Sequence, residues 1–268
     1  MNETDSIVMG QRYAIALEAY LAAVGEAIRD VVASQLPSAR LEHHFECFKD
    51  WSLFGSCTDV EQWFLDQRAR CPMHVEEIPL RECRAWSVDA TTSNIQHESG
   101  DFFRVHGVRV SSTGSREVGV SGWDQPIVTQ VGFDGGLLGL LRKRFHGIPH
   151  YLVEAKAEPG NYEKLQLSPT LQATFANLRQ AHRGRKPRFA ELFEEPEANG
   201  ATVLYRAWLS EDGGRLYLKR NCAMLIEVGA VDIEVPSGFR WVSMFQLKAL
   251  LHQNAWVNPH VRGIIAHL

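Results

Sequence analysis

Three ionisable side chains stand at alternate positions in the stretch EAKAEPGN: Glu154, Lys156 and Glu158. Successive side chains of a β-strand point to opposite faces. This spacing therefore gathers two carboxylates and an ammonium on one face and Tyr151, Val153 and Ala155 on the other. Charges so placed shift one another's protonation, which suits proton transfer beside a developing negative charge. A solvent-facing strand surface laced by an ion pair shows the same pattern, and spacing alone does not separate the two readings.

The next segment, QLSPTLQATFANLRQAH, supplies Gln166, Ser168, Thr170, Gln172, Thr174 and Asn177. These uncharged groups recognise hydroxyls and carbonyls, although they also cap and turn chains. The segment should pass into a helix near Thr174. His182 opens a basic run, HRGRKPR, that reads either as a solvated turn or as a clamp for a phosphorylated small ligand. No H-E-x-x-H, tight Cys/His spacing, dinucleotide fingerprint, phosphate loop or G-x-S-x-G elbow occurs, so neither a metal nor a cofactor is expected.

These groups need a scaffold. Ile15, Ala19, Ala22, Ala23, Ala27 and Val31 recur at helical spacing between about Asp5 and Leu36, and Pro37 stops the run. The Ala-rich face of this helix could pack on the core or against a second subunit. Thr58 with Glu61 three residues on predicts a helix N-terminus. From Val75 to Val131 short β-type runs alternate with glycine-bearing turns. Two strands should then meet at a turn over Phe145 to Ile148, and ATVLYRAWLS should pair with RLYLKRNCAMLIEV through the turn EDGG. Phe239 to His252 reads as a helix with Met244, Leu247 and Leu251 on one face, and Asn258-Pro259 as the start of another. The class is α+β, with a mostly antiparallel or mixed sheet flanked by helices. Residues 1–40 form an N-terminal helix that could dimerise, and residues 41–268 form a single domain.

With 268 residues, 45% hydrophobic and 22% charged, the chain can bury a large core without metal or disulfide staples. A formal net charge of -4 gives no field for nucleic acid or anionic lipid. No apolar run approaches the roughly 20 residues that span a bilayer, and acidic residues stand where a signal peptide would be basic. Five cysteines without a C-x-x-C pair fit a reducing cytoplasm.

HESGDFFRVHG, WDQPIVTQ, GLLGLL, EAKAEPGN, QLSPTLQAT, SEDGGRLY, RNCAMLIEV and FRWVSMFQLKALL, in that order, resemble the NDP-hexose 2,3-dehydratases of deoxysugar biosynthesis from about Trp51 onward. The resemblance implies a Nudix-like fold without the Nudix metal box. It also implies removal of water across C2 and C3 of a thymidine-diphosphate 4-keto-6-deoxy sugar, with no redox cofactor. Glu154, Glu158 and His182 become candidates for the proton transfers, and Lys156, Thr174 and Asn177 for stabilising the enolate oxygen. Trp86, Gln166, Thr170, Gln172 and the 174–179 segment would contact the sugar nucleotide, with Arg179, Arg240 or Arg262 near the diphosphate. Family members tend to carry two copies of this unit, which implies a homodimer here. They also tend to read S-N-Y where this chain has Ala176-Asn177-Leu178, and V-N-M-D-x-R where it has VNPHVR. Those departures leave room for a different biosynthetic intermediate as substrate, or for a non-catalytic binding or assembly role.

Overall fold

The computed structural model describes residues 2–28, 38–100, 102–111, 122–132, 135–179, 185–211 and 214–268. Three helices come first: α1 (Glu3–Ile28), α2 (Ser38–Glu46) and α3 (Cys57–Ala69). Val31 and the expected end of the first helix lie outside the described residues.

Helix α1 docks through Tyr13, which is buried edge-on against Phe45 and Trp51 at ring separations of 5.5 and 5.3 Å. Met9, Ala16, Leu17 and Tyr20 extend that contact. Gly10 permits it, because a Cβ there would stand 2.2 Å from the His146 carbonyl oxygen. The stripe expected from sequence is a different one and stays outside: Ile15 is 69% exposed, and Ala19, Ala22, Ala23 and Ala27 are exposed with it. Aromatic rings remove far more apolar area from water than alanines do, so the aromatic stripe takes the core.

Helix α3 starts earlier than expected. Ser56 is its N-cap and forms a capping box with Asp59, displacing the predicted pair Thr58 and Glu61. Ser56 and Asp59 have the same spacing two residues upstream and so fulfil the same reciprocal bonding.

Among the described residues, eleven strands form two sheets. The smaller is antiparallel, in the order β1 (Trp86–Val88), β2 (Ile95–His97), β3 (Phe103–Val110), β4 (Trp123–Gln130). The larger contains β5 (Gly136–Phe145), β6 (Ile148–Ala157), β7 (Leu165–Pro169), β8 (Leu171–Thr174), β9 (Ala201–Ser210), β10 (Arg220–Val228) and β11 (Phe239–Val242). Its backbone order is β11-β6-β5-β10-β9, and it is mixed because β10 runs parallel to β5. Strands β9 and β10 pair antiparallel as expected, with residues 212 and 213 of their connection outside the described residues. Hairpin β5–β6 turns at His146 and Gly147, both with positive φ (49° and 84°), as a two-residue turn matched to strand twist requires.

The two strands of that hairpin part after the pair Leu141–Leu152. Strand β8 then pairs with β5 over Gly136–Gly139, and β7 pairs with β6 over Val153–Ala157. Thr170 sits at the fork and closes it. Its hydroxyl accepts from the Leu141 N–H at 2.8 Å and donates to the Leu152 carbonyl at 2.5 Å.

One sheet face is covered by α3, α6 (Met244–Leu250) and α7 (Pro259–Ile265), through Val60, Phe64, Met244, Leu247, Val261 and Ile264. The other is covered by α4 (Phe175–Leu178) and α5 (Ala190–Glu194), through Leu178, Ala190 and Phe193. Phe239–Val242 is a strand rather than the start of a helix. Its aromatic and β-branched residues suit a ladder, and Trp241 is buried opposite Leu152. The helix begins after Ser243, which forms a capping box with Gln246. Leu250, not Leu251, completes its buried face.

Beneath α2 lies a buried charge cluster. The Arg142 guanidinium, 2% exposed, binds Glu42, Glu46 and Glu227, and Arg144 binds Glu42 and Glu227. Tyr13 and Tyr151 donate to Glu42 and Glu46 at 3.0 and 2.9 Å. Among the described residues no helix is long and apolar enough to cross a membrane.

Candidate active site

Strand alternation holds along β6. Tyr151, Val153 and Ala155 face the larger core cluster, while Glu154 and Lys156 lie on the opposite face and Glu158 follows the strand. Lys156 reaches across the fork, and its ammonium donates to the Gln172 carbonyl oxygen at 3.1 Å. The Gln172 amide in turn donates to Glu158 at 3.0 Å. Lys156, Gln172 and Glu158 thus form one connected unit where the hairpin opens.

That unit lines a cavity of about 430 Å³, together with Thr174, Asn177, Glu211, Lys219, Asn221 and His260. An adjoining cavity of about 630 Å³ shares Leu138, Glu158, Gln172, Glu211, Asn221 and His260, and extends past Gln166 to Asn258. Cavities of this size lie in the range that holds a small-molecule ligand.

The expected helix after Thr174 is present as α4. The Thr174 hydroxyl caps it by accepting from the Asn177 N–H at 3.1 Å, which leaves the hydroxyl hydrogen to donate. Gln166 donates to the Ala255 carbonyl at 3.0 Å and borders the second cavity. The Gln172 side-chain oxygen is buried and, among the described residues, accepts no hydrogen bond. Glu154 is half-buried beside this unit. Burial raises its pKa, Lys156 pulls it down and Glu158 pushes it further up.

Other candidates are placed elsewhere. Thr170 is 2% exposed and both of its hydroxyl bonds go to the fork, so it shapes the site rather than touching a ligand. Trp86 lies in the small sheet with its ring edge-on to His97, 5.7 Å away. Arg240 donates to the Phe54 carbonyl at 2.9 Å and lies over Trp63. It lines a separate cavity of about 880 Å³ between α1 and α3 that holds none of the other candidates. Arg179 caps the end of α4 and Arg262 is exposed on α7; neither lines these cavities. His182 lies outside the described residues. Of the basic run, Lys186 pairs with Glu194 at 2.7 Å and Glu191 at 3.8 Å, so an acidic helix occupies the ammonium that a phosphate clamp would need. Leu178, where the resemblance implies a tyrosine, is 5% exposed within the α4–α5 core and lines neither of the two adjoining cavities. Among the described residues no group of three His, Cys, Asp or Glu side chains could hold a metal ion.

Sequence reasoning missed Glu211, Lys219, Asn221 and His260. They come from the β9–β10 connection, the head of β10 and the head of α7, more than 50 residues from Glu158, so no local spacing joins them. A signal was nonetheless present. Asn221 stands just before the apolar run CAMLI, and His260 follows the Asn258-Pro259 helix start, so both are polar residues set at the head of an element. In the structure Asn221 is 4% exposed and donates to Glu211 at 2.7 Å. Lys219 is 7% exposed, binds the Gln130 side chain and stands 3.9 Å from Glu211. Burial lowers the pKa of Lys219, and Glu211 opposes the shift.

Residues 57–268 match the family model described as NDP-hexose 2,3-dehydratase. Three curated relatives carry the name dTDP-4-dehydro-6-deoxy-alpha-D-glucopyranose 2,3-dehydratase. The one from Amycolatopsis orientalis is 34% identical over 212 residues, covering 78% of this chain and 44% of its own. That from Streptomyces violaceoruber is 37% identical, covering 77% and 45%. That from Saccharopolyspora spinosa is 36% identical, covering 78% and 41%. The chain spans less than half the length of these relatives. Among solved structures, the Nudix hydrolase RenU from M. smegmatis has a TM-score of 0.29 at 18% identity, over 51% of this chain and 89% of that one. The family model spanning residues 57–268 and the three curated relatives, each matched over more than three quarters of this chain, place it: the chain belongs to the NDP-hexose 2,3-dehydratase family.

Proposed function

We propose that the chain is a lyase that eliminates water across C2 and C3 of a thymidine-diphosphate 4-keto-6-deoxy sugar. The observation that carries this reading is the Lys156–Gln172–Glu158 unit opening onto one polar cavity. The C3 proton is acidified by the C4 ketone, so removing it needs a base and a partner for the enolate oxygen. Glu158 is the base in this scheme, and the Lys156 ammonium holds the negative charge that develops on the C4 oxygen. Thr174 and Asn177 hydrogen-bond the ligand from the mouth of the cavity. The product has the composition of the substrate less one water, so the step consumes no oxidant or reductant.

The protein acts as a homodimer in this reading, and the exposed Ile15–Ala19–Ala23 face of α1 supports it as the contact. Five free thiols suit a reducing cytoplasm. The test is incubation with the thymidine-diphosphate 4-keto-6-deoxyglucose in deuterated water, followed by NMR. Deuterium should enter at C3 of recovered substrate and at C2 of the product as the C2 hydroxyl is lost; neither exchange nor hydroxyl loss at micromolar protein overturns the proposal. Saturating thymidine diphosphate should also raise the melting temperature.

A further inference from the structure

The elimination has a second requirement that Lys156 and Glu158 leave unmet. Hydroxide is a poor leaving group, so the C2–O bond needs a proton donor as it breaks. His260 is placed to be one. It is the second residue of α7, and its N–H is fixed by the Asn258 side chain at 2.8 Å. Its half-buried ring borders both adjoining cavities, as does Glu158. Its Nε2 lies 3.9 Å from one Glu211 oxygen, while the other Glu211 oxygen accepts from Asn221 at 2.7 Å. A histidine facing a reaction space, with a carboxylate beside its Nε2 that is itself held by an amide, is an arrangement that orients an imidazole for proton transfer from its other nitrogen.

We infer that His260, oriented by Glu211, is the general acid that protonates the departing C2 hydroxyl. This rests on the elimination proposed above. In the first step Glu158 takes the C3 proton and the C3–H electron pair forms the C3=C4 bond, placing the charge on the C4 oxygen beside Lys156; in the second the C4 carbonyl re-forms, its electrons make the C2=C3 bond, and the C2–O bond breaks. The leaving oxygen takes the His260 proton and departs as water. Glu158 then returns its proton to His260 through solvent, and the enol becomes a ketone by taking a proton at C2 and releasing the proton of its C3 hydroxyl. No electron is gained or lost overall.

The groups facing His260 are Glu211 at the end of β9, Lys219 ahead of β10, and Lys156 and Glu158 at the end of β6. Burial lowers the imidazole pKa below its ordinary value, with Lys156 and Lys219 adding to the shift and Glu211 and Glu158 opposing it. A more acidic imidazolium surrenders its proton more readily, and elimination should decline as pH rises through that lowered value.

The experiment compares the natural 4-keto sugar nucleotide with its 2-deoxy-2-fluoro analogue, because fluoride leaves without needing a full proton transfer. His260→Asn should slow loss of the C2 hydroxyl by about 10²- to 10³-fold. The same variant should keep C3 deuterium exchange and fluoride release close to wild type. Glu211→Gln should move the alkaline limb of the pH profile to lower pH, since losing the carboxylate removes a stabiliser of the imidazolium. Equal loss of hydroxyl and fluoride elimination in His260→Asn, or an unmoved limb in Glu211→Gln, overturns the inference while leaving the elimination standing. Wild-type protein that neither exchanges C3 nor releases fluoride overturns the elimination and the acid together.

Discussion

Lys156 and Glu158 are joined through Gln172: the ammonium donates to its backbone oxygen and its side-chain amide donates to the carboxylate, at 3.1 and 3.0 Å. Two groups that could neutralise each other directly are instead held apart by an amide. The arrangement keeps a cation and an anion available on one wall of a cavity.

Replacing Lys156 with Met tests that cation. The variant loses one partly buried hydrogen bond, worth about 1 kcal/mol, so it should fold. Removal of the charge facing the enolate should lower kcat by about 10²- to 10³-fold. Circular dichroism and steady-state kinetics check the pair of outcomes. Turnover within tenfold of wild type assigns the oxyanion role to another group.

Thr170→Val tests the fork. The buried hydroxyl is both acceptor and donor there, and valine leaves the Leu141 N–H without its bond. Urea unfolding should show a loss of roughly 1–3 kcal/mol. Because the sheet is held open at this point, KM for the sugar nucleotide should also rise. A variant as stable as wild type removes Thr170 from this role.

The buried cluster predicts a pH dependence of stability. Glu42, Glu46 and Glu227 face two guanidiniums, Arg142 and Arg144, which leaves one carboxylate without a balancing charge. Burial pushes Glu46 up to about 7, against the opposing pull of Arg142, while hydrogen bonds and charge from Arg144 and Arg142 outweigh burial to hold Glu42 below its usual range. A carboxyl raised in the folded state contributes stability that is complete below its unfolded value of about 4.5 and is lost as pH rises through about 7. Buried His43 and His150, both lowered to about 4, act in the opposite sense below pH 6.5, so the Glu46 contribution is read as a difference: between about pH 5 and 7 the urea midpoint of wild type should fall relative to that of Glu46→Gln. A difference between the two proteins that is independent of pH over this range contradicts a protonated Glu46.

The outer face of α1 predicts self-association. Ile15→Asp combined with Ala19→Asp places two charges on an exposed apolar stripe without touching Tyr13 or its ring contacts. Light scattering should show a dimer for wild type and a monomer for the double variant. An unchanged mass sinks the proposed contact. Deleting residues 1–36 should have the same effect on mass, but it also uncovers Trp51 and Phe45, so the point variants are the cleaner comparison.

The parts of this architecture set by near neighbours were legible in the chain. The β5–β6 hairpin follows from two apolar runs around a glycine turn, and the α4 and α7 caps follow from Thr174 and Asn258. The alternation of Glu154 and Lys156 against Val153 and Ala155 survived because β6 is buried on one face. What could not be read was set by distance. Thr170 looked like a ligand contact because nothing local reveals that it bonds residues 29 and 18 positions away. The family resemblance implies Arg240 near the diphosphate, but strand β11 carries it to Phe54 and Trp63, a packing that no local spacing reveals. His260 and Glu211 are 49 residues apart and meet only once β10 has crossed to the far side of β5.

The fork has one more consequence, for solubility. Parting two strands in mid-sheet bares two rows of backbone donors and acceptors, and such open edges template pairing between molecules. Here β8 covers the β5 row and β7 covers the β6 row, with Thr170 sealing the corner between them. A cavity is thereby opened inside a sheet without exposing an adhesive edge, and weakening β7 or β8 should show itself as aggregation before it shows itself as lost binding.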